Sequence, residues 1–179
     1  MSEALMYTYP SPLEGFGNHP PLSDELNEDG KSYKNPTPTE PSAAYSSFTN
    51  PIDNGIRGGF DVHVYFQQQH EWELNFAKEL WQRIRLEFPE LRIYRVWDKP
   101  IGPHPIGSFE VNIHSPAQFG AFIPWLVINR GPLSALVHPN TGEEWRDHTQ
   151  RASWLGPAIP LHLRLLKDLE QKKKTQQTL

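Results

Sequence analysis

In Phe60-Asp61-Val62-His63-Val64-Tyr65-Phe66, apolar and polar side chains alternate without a break. Phe60, Val62, Val64 and Phe66 point one way, and Asp61, His63 and Tyr65 the other. A period of two marks a strand with one buried face. The polar face holds an acid, an imidazole and a phenol in place of the usual solubilising Lys and Glu. Such groups bind metals and move protons, so this strand is expected to open a small sheet with a reactive site on its uncovered face.

Outward from this strand, the pattern changes in both directions. Upstream, Pro10, Pro12, Pro20, Pro21, Pro36, Pro38, Pro41 and Pro51 recur among Ser, Thr, Asn and Gly. Proline at that density blocks helix and ladder hydrogen bonds. Residues 1–56 are therefore expected to form a largely irregular arm, with His19 as a solvated tail residue. Downstream, Trp72, Phe76, Leu80, Ile84 and Phe88 lie four apart, predicting an amphipathic helix from His70 to Phe88 that ends at Pro89. Leu91 to Asp98 reads as a second strand. Lys99 to Gly107 is a proline-stiffened turn carrying His104, and Phe109 to Ile113 is a third strand with Glu110 and Asn112 facing out. Pro116 to Asn129 predicts a second helix, in which Pro124 introduces a kink. Leu133 to Val137 is a fourth strand, followed by His138, Asn140 and Arg146-Asp147-His148-Thr149. Pro160 to Leu169 suggests a short terminal helix, and residues 167–179 a polar tail. Residues 57–166 thus form the expected domain.

Composition limits the function classes. The 179-residue chain has net charge −4 and a pI near 6.0, so no global basic field exists to hold nucleic acid. It has no Cys, which excludes disulfides and thiolate chemistry and leaves any metal to His, Asp and Glu. No apolar run reaches the ~18 residues of a membrane span. The N-terminus lacks a basic segment followed by an apolar one. A soluble cytoplasmic protein is the resulting expectation.

The element order β-α-β-β-α-β is that of a ferredoxin-like α+β fold, an antiparallel sheet with two helices on one face. With strands one and three taken in one direction and two and four in the other, one end of the sheet collects His63, His104 and His138. His148 is close enough in sequence to fold back to them. On the same basis His70 and His114 fall at the other end, and His162 in the terminal segment. Three imidazoles from separate elements suit iron, zinc, copper or nickel and leave coordination positions open. Either Glu110 or Asp61 completes a two-His-one-carboxylate set, which favours non-haem Fe(II).

Phe60-Asp61-Val62-His63-Val64-Tyr65, Gly102-Pro103-His104-Pro105 with Phe109-Glu110-Val111, Leu136-Val137-His138-Pro139-Asn140-Thr141-Gly142, and Arg146-Asp147-His148-Thr149 with Trp154-Leu155-Gly156 together resemble the DOPA 4,5-dioxygenase family of fungi and bacteria. The likeness spans about Phe60 to Leu166. It implies a homodimeric ferredoxin-like enzyme that cleaves a catechol ring beside its two hydroxyls, using O₂ and Fe²⁺, with Zn²⁺ as a substitute ion in crystals. By position His63, His104, His138 and His148 match the family's recurring histidines; His63, His104 and His138 are the expected metal ligands, with Glu110 as an additional candidate. His148 is the candidate proton carrier. Tyr65 either orients a reacting oxygen or packs. Arg146 meets a substrate carboxylate or forms a surface ion pair, and Asn140 is a candidate substrate contact. Trp145 and Trp154 roof the pocket or seal a dimer contact. Trp97-Asp98-Lys99 departs from the usual His-Glu-Arg-type approach to the proline turn. Two other classes fit the same residues: a non-catalytic dimeric module binding Zn²⁺ or a small aromatic, and a metal-dependent hydrolase.

Overall fold

The computed structural model describes residues 7–15, 20–38, 40–168 and 170. The chain divides into two compact units, Met1–Ser42 and Ala43–Leu179. In the first, the described residues are almost all exposed. A single antiparallel bridge, Leu26 with Tyr33, closes a turn in which Asp29 accepts from the backbone of Lys31 and Ser32. His19 lies outside the described residues.

The second unit contains β1 (Phe60–Phe66), α1 (Glu71–Glu87), β2 (Arg92–Ile93), β3 (Gly107–Ile113), α2 (Pro116–Asn129), β4 (Ser134–Pro139), α3 (Glu144–Asp147) and β5 (Ser153–Leu155). Residues 163–168 are helical, inside the terminal helix expected from sequence, whose last residue, Leu169, is not described. The sheet order is β2-β3-β1-β4-β5, antiparallel throughout. This is the ferredoxin-like α+β architecture with one strand added at the edge.

The alternation of β1 fixes the two faces. Val62 and Val64 pair across to Val111 and Phe109 on β3, and to Val137 and Ala135 on β4. These side chains meet Ala77, Leu80 and Ile84 of α1 and Phe122 and Leu126 of α2, all essentially excluded from water. Capping is local. His70 Nδ1 accepts from the Glu73 backbone at the start of α1, and Ser115 Oγ accepts from Gln118 at the start of α2. Helix α2 continues past Pro124 to Asn129.

Strand directions correct the sequence reading. β1 runs antiparallel to both β3 and β4, so β1 and β2 run one way and β3 and β4 the other. Each helix crosses over one strand and returns the chain parallel to the strand it left. The turn carrying His104 therefore enters β3 opposite the end of β1, while β4 exits opposite its start. The histidines approach from both ends of the sheet and meet over its middle.

One further difference is local. Only Arg92 and Ile93 of the expected second strand form a regular ladder, before Trp97 pairs with Ser108. Residues 43–59 pack with the sheet unit. Phe48 packs edge-on against Phe60 and Phe119, and the backbone of Asp53 donates to Asn140. Gly59 closes this junction at φ +72°, where an added Cβ would lie 2.0 Å from the Ile113 carbonyl.

Candidate active site

Opposite the helices, the sheet presents Asp61, His63 and Tyr65 from β1. In register beside them stand Ser108, Glu110 and Asn112 of β3, and Ser134, Leu136 and His138 of β4. His63 is opposite Glu110, and Asp61 is opposite His138. His104 folds in from the turn before β3, and His148 caps the C-terminus of α3. All four imidazoles are buried. The rings of His63 and His104 are 4.2 Å apart, those of His138 and His148 3.9 Å, and those of His63 and His138 5.1 Å. Ring nitrogens of His63, His104 and His148 lie within 4.8 Å of one another, and so do donor atoms of Asp61, His63 and His138. His63 is common to both groups. His70 is spent on its helix cap, and His162 is exposed.

Hydrogen bonds set the tautomers. His138 Nδ1 lies 3.0 Å from the Pro139 carbonyl, and His148 Nδ1 lies 2.9 Å from the Glu144 carbonyl. A carbonyl oxygen only accepts, so both Nδ1 atoms carry the proton and both Nε2 atoms keep a lone pair. His63 Nε2 is 3.0 Å from His138 Nε2, and Tyr65 Oη is 2.7 Å from His104 Nδ1. Burial holds all four rings neutral. His104 is lowered to about 3, by burial and then by His148 and His138. His148 is lowered to about 4, by burial and then by His138. His63 is held well below its ordinary value and His138 below it, again chiefly by burial.

These residues fit a first-row transition metal. Neutral imidazoles with inward lone pairs are the required ligand form, and outer carbonyl partners fix their orientation. The 3.0 Å between His63 Nε2 and His138 Nε2 is the span of two nitrogens ~2.1 Å from one ion at about a right angle. With Nε2 turned to an ion, His63 would carry its proton on Nδ1, 3.8 Å from Glu110 Oε2.

Residues 60–165, which hold all of these groups, match the model of the Dopa 4,5-dioxygenase family. The chain belongs to that family. It is 43% identical to the DOPA 4,5-dioxygenase of Amanita muscaria over 63% of this chain and 50% of that protein. It is 60% identical to an uncharacterized 21.2 kDa protein of Botryotinia fuckeliana over 97% of this chain and 98% of that one. A crystal structure of a candidate dioxygenase from Nostoc punctiforme superposes with TM-score 0.58 at 38% identity, covering 66% of this chain and 95% of that one. As a Dopa 4,5-dioxygenase family member the protein is a dioxygenase. No helix among the described residues is long and apolar enough to cross a membrane.

Beside His63 and His104 of this family member lies a cavity of about 280 Å³, walled also by Tyr94, Trp97, Ile101, Pro103 and Glu110; His138 and His148 are outside its lining. That volume is near the lower limit of ~300 Å³ for small-molecule sites. Burial, then Asp61, pushes Glu110 up to about 7. Burial also raises Asp61, against hydrogen bonds from Asn112 and Asn140. Tyr65 is buried against His104 and Trp154, and burial raises its phenol further. Arg146 is outside the cavity lining, with Nε on Gln150 at 2.9 Å and Nη1 3.6 Å from Glu143. Trp145 lies under the Lys167 ammonium.

Asp147 is a residue the sequence reading did not single out. Its buried carboxylate accepts from Thr141 N, from Thr141 Oγ1 and from Arg151 Nη1, each within 2.9 Å. It thereby ties the loop after His138 to the short helix before His148. A hint was available in an acid placed beside a candidate site histidine and four residues before an Arg. Asp147→Ala is expected to cost about 3 kcal/mol in urea denaturation, because Arg151 and Thr141 lose a buried anionic partner.

The histidines also predict a pH dependence for the metal-free protein. Between about 4 and 6.5 the unfolded chain protonates His148 and the folded one does not. For His104 the window runs down to about 3. Stability is therefore full above 6.5 and falls as pH drops, by ~1.4 kcal/mol per unit for each such group. Glu110 acts oppositely between 4.5 and about 7, since it holds a proton in the folded state that the unfolded chain has released. Asp61, also raised by burial, acts in the same sense as Glu110; the four histidines outnumber these two carboxyls, so urea midpoints should decline from pH 6.5 to 5. A flat profile would contradict the burial of the four rings.

Proposed function

We propose that this protein is an extradiol ring-cleaving dioxygenase that opens a catechol such as DOPA beside its two hydroxyls, placing both atoms of O₂ in the product. The observation that carries the reading is the set of four buried neutral imidazoles, two with carbonyl-fixed tautomers, of which His63 and His104 line a cavity of about 280 Å³ with an aromatic wall. The DOPA 4,5-dioxygenase of Amanita muscaria, 43% identical over the shared region, supports the choice of substrate.

In this reading His63, His104 and His138 hold Fe²⁺, with the Glu110 carboxyl beside His63. The ion supplies Lewis acidity that acidifies the catechol hydroxyls, and a redox centre through which ring and O₂ exchange electrons. Tyr65 holds the His104 ring in place through the 2.7 Å hydrogen bond. His148 takes a catechol proton at Nε2. Its Nδ1–H, donating to the Glu144 carbonyl, stabilises the imidazolium and keeps the lone pair inward. Asn140, the expected substrate contact, would donate to a substrate oxygen by exchanging its bond to Asp61. Tyr94 and Trp97 pack the aromatic ring and keep water out of the cavity.

The balance needs no external reductant, because catechol supplies all the electrons that O₂ accepts. The protein should be purified without oxygen, loaded with Fe²⁺ and mixed with DOPA in air. A yellow ring-opened product should form with one O₂ consumed per ring. An iron-replete protein that consumes no O₂ with any catechol is not an extradiol dioxygenase. The homodimer implied by the family resemblance is part of the same proposal, and sedimentation of the full chain tests it.

A further inference from the structure

The broken strand β2 carries a device that the catalytic reading leaves unused. On β3 the site-facing residues are Asn112, Glu110 and Ser108. Across from them, on β2 and the segment that follows it, lie Arg92, Tyr94 and Trp97. From Glu110 to Ser108 is two steps along the chain, and from Tyr94 to Trp97 is three. One residue in the segment after β2 is therefore extra, which is a β-bulge. Ile93 and Val96 pack against the core, and Tyr94 and Trp97 line the cavity. Arg95 is the residue with no place in the alternation. Without the bulge it would stand opposite Phe109, aimed at the apolar core. Bulges beside active sites commonly re-aim a side chain in this way.

The bulge sets Arg95, which is exposed and outside the cavity lining, against Trp97, which is part of that lining. Its guanidinium carbon lies 3.7 Å from the centroid of the Trp97 ring, and Trp97 lines the cavity together with His63, His104 and Glu110. Arg95 makes no ion pair or hydrogen bond among the described residues, so its N–H groups are available. Stacking on an indole pre-organises the planar fork for a carboxylate. The cavity lining itself supplies no Lys or Arg. Arg146, the residue expected from sequence to meet a substrate carboxylate, is engaged by Gln150 and Glu143.

From this juxtaposition we infer that Arg95, stacked on Trp97, reads a carboxylate on the side chain of the catechol substrate and makes the site selective for catechols with an anionic tail. This rests on the catechol-cleaving reading of the same cavity. Arg95 is exposed and outside the core, so its variants should fold normally.

The test compares wild type, Arg95→Ala and Arg95→Lys on 3,4-dihydroxyphenylpropanoate, which carries the carboxylate, and 4-methylcatechol, which does not. Arg95→Ala should raise KM for the propanoate about 10- to 100-fold, the worth of a charged hydrogen-bond pair, with kcat nearly kept. Its kcat/KM for 4-methylcatechol should not change. Arg95→Lys should restore part of the loss, as charge without the stacked fork. Anaerobic calorimetry of propanoate binding to the iron-loaded proteins reads the same discrimination without turnover. Tight, Arg95-dependent binding with no ring cleavage would overturn the catalytic reading and uphold Arg95. Equal affinity of wild type and Arg95→Ala for the propanoate, or an equal loss on both catechols, overturns the role of Arg95.

Discussion

His63→Ala should yield a folded protein that holds no iron and consumes no oxygen. His63 stands at the middle of β1, the central strand, and is the one imidazole shared by both groups of converging donor atoms. Its Nε2 is 3.0 Å from His138 Nε2, and its ring is 4.2 Å from the ring of His104. Alanine leaves the apolar face of β1 intact, because Val62 and Val64 point away from the site. The fold should survive for that reason, and removal of a strongly desolvated imidazole also relieves a burial cost. Ring cleavage should fall on the order of 10³-fold or more, since the Lewis acidity of a bound ion is worth several kcal/mol. Metal analysis per chain and oxygen uptake measure the two losses. Stoichiometric iron with an undiminished rate would remove His63 from the ligand set.

Much of this site could be read from the chain because side-chain alternation is a local property. Asp61, His63 and Tyr65 are placed on one face by period two alone, and β3 repeats the pattern with Glu110 and Asn112. The helices followed from apolar spacing in the same way. Strand direction is different. It depends on which strand each helix crosses, and no residue in β1 or β3 records that, so the expected meeting point at one end of the sheet became one over its centre. β5 has three residues, Ser153–Leu155, too few to show a period. The bulge at Arg95 is equally invisible, because Leu91 to Asp98 reads as one uninterrupted run. Asp147 carries no period either. Its role comes from a loop and a helix closing on it, and that closure exists only in the folded chain.

His148→Ala should separate chemistry from metal binding. Distance does not make this distinction, since His148 lies as close to His63 and His104 as a ligand would. Nor does the Nδ1–H bond to a carbonyl, which His138 shares, so the proposed division of roles rests on chain position. His148 sits on the cap of a four-residue helix, and its Nδ1–H is tied to the Glu144 carbonyl in the same turn. That arrangement suits a proton acceptor, whose charged form must be stabilised at the far nitrogen once Nε2 is protonated. Glu144 and Asp147 lie near enough to favour that charged form as well. The variant should retain iron and lose about 10²- to 10⁴-fold in kcat, with a smaller change in KM. His104→Ala, by contrast, should lose iron if the ring that Tyr65 holds in place is a ligand as proposed. The reverse result, iron lost with His148 and kept without His104, would exchange the two roles. The Tyr65–His104 pair would then be the proton carrier, and His63, His138 and His148 the ligands. Iron content of the two variants, measured side by side, decides between these assignments.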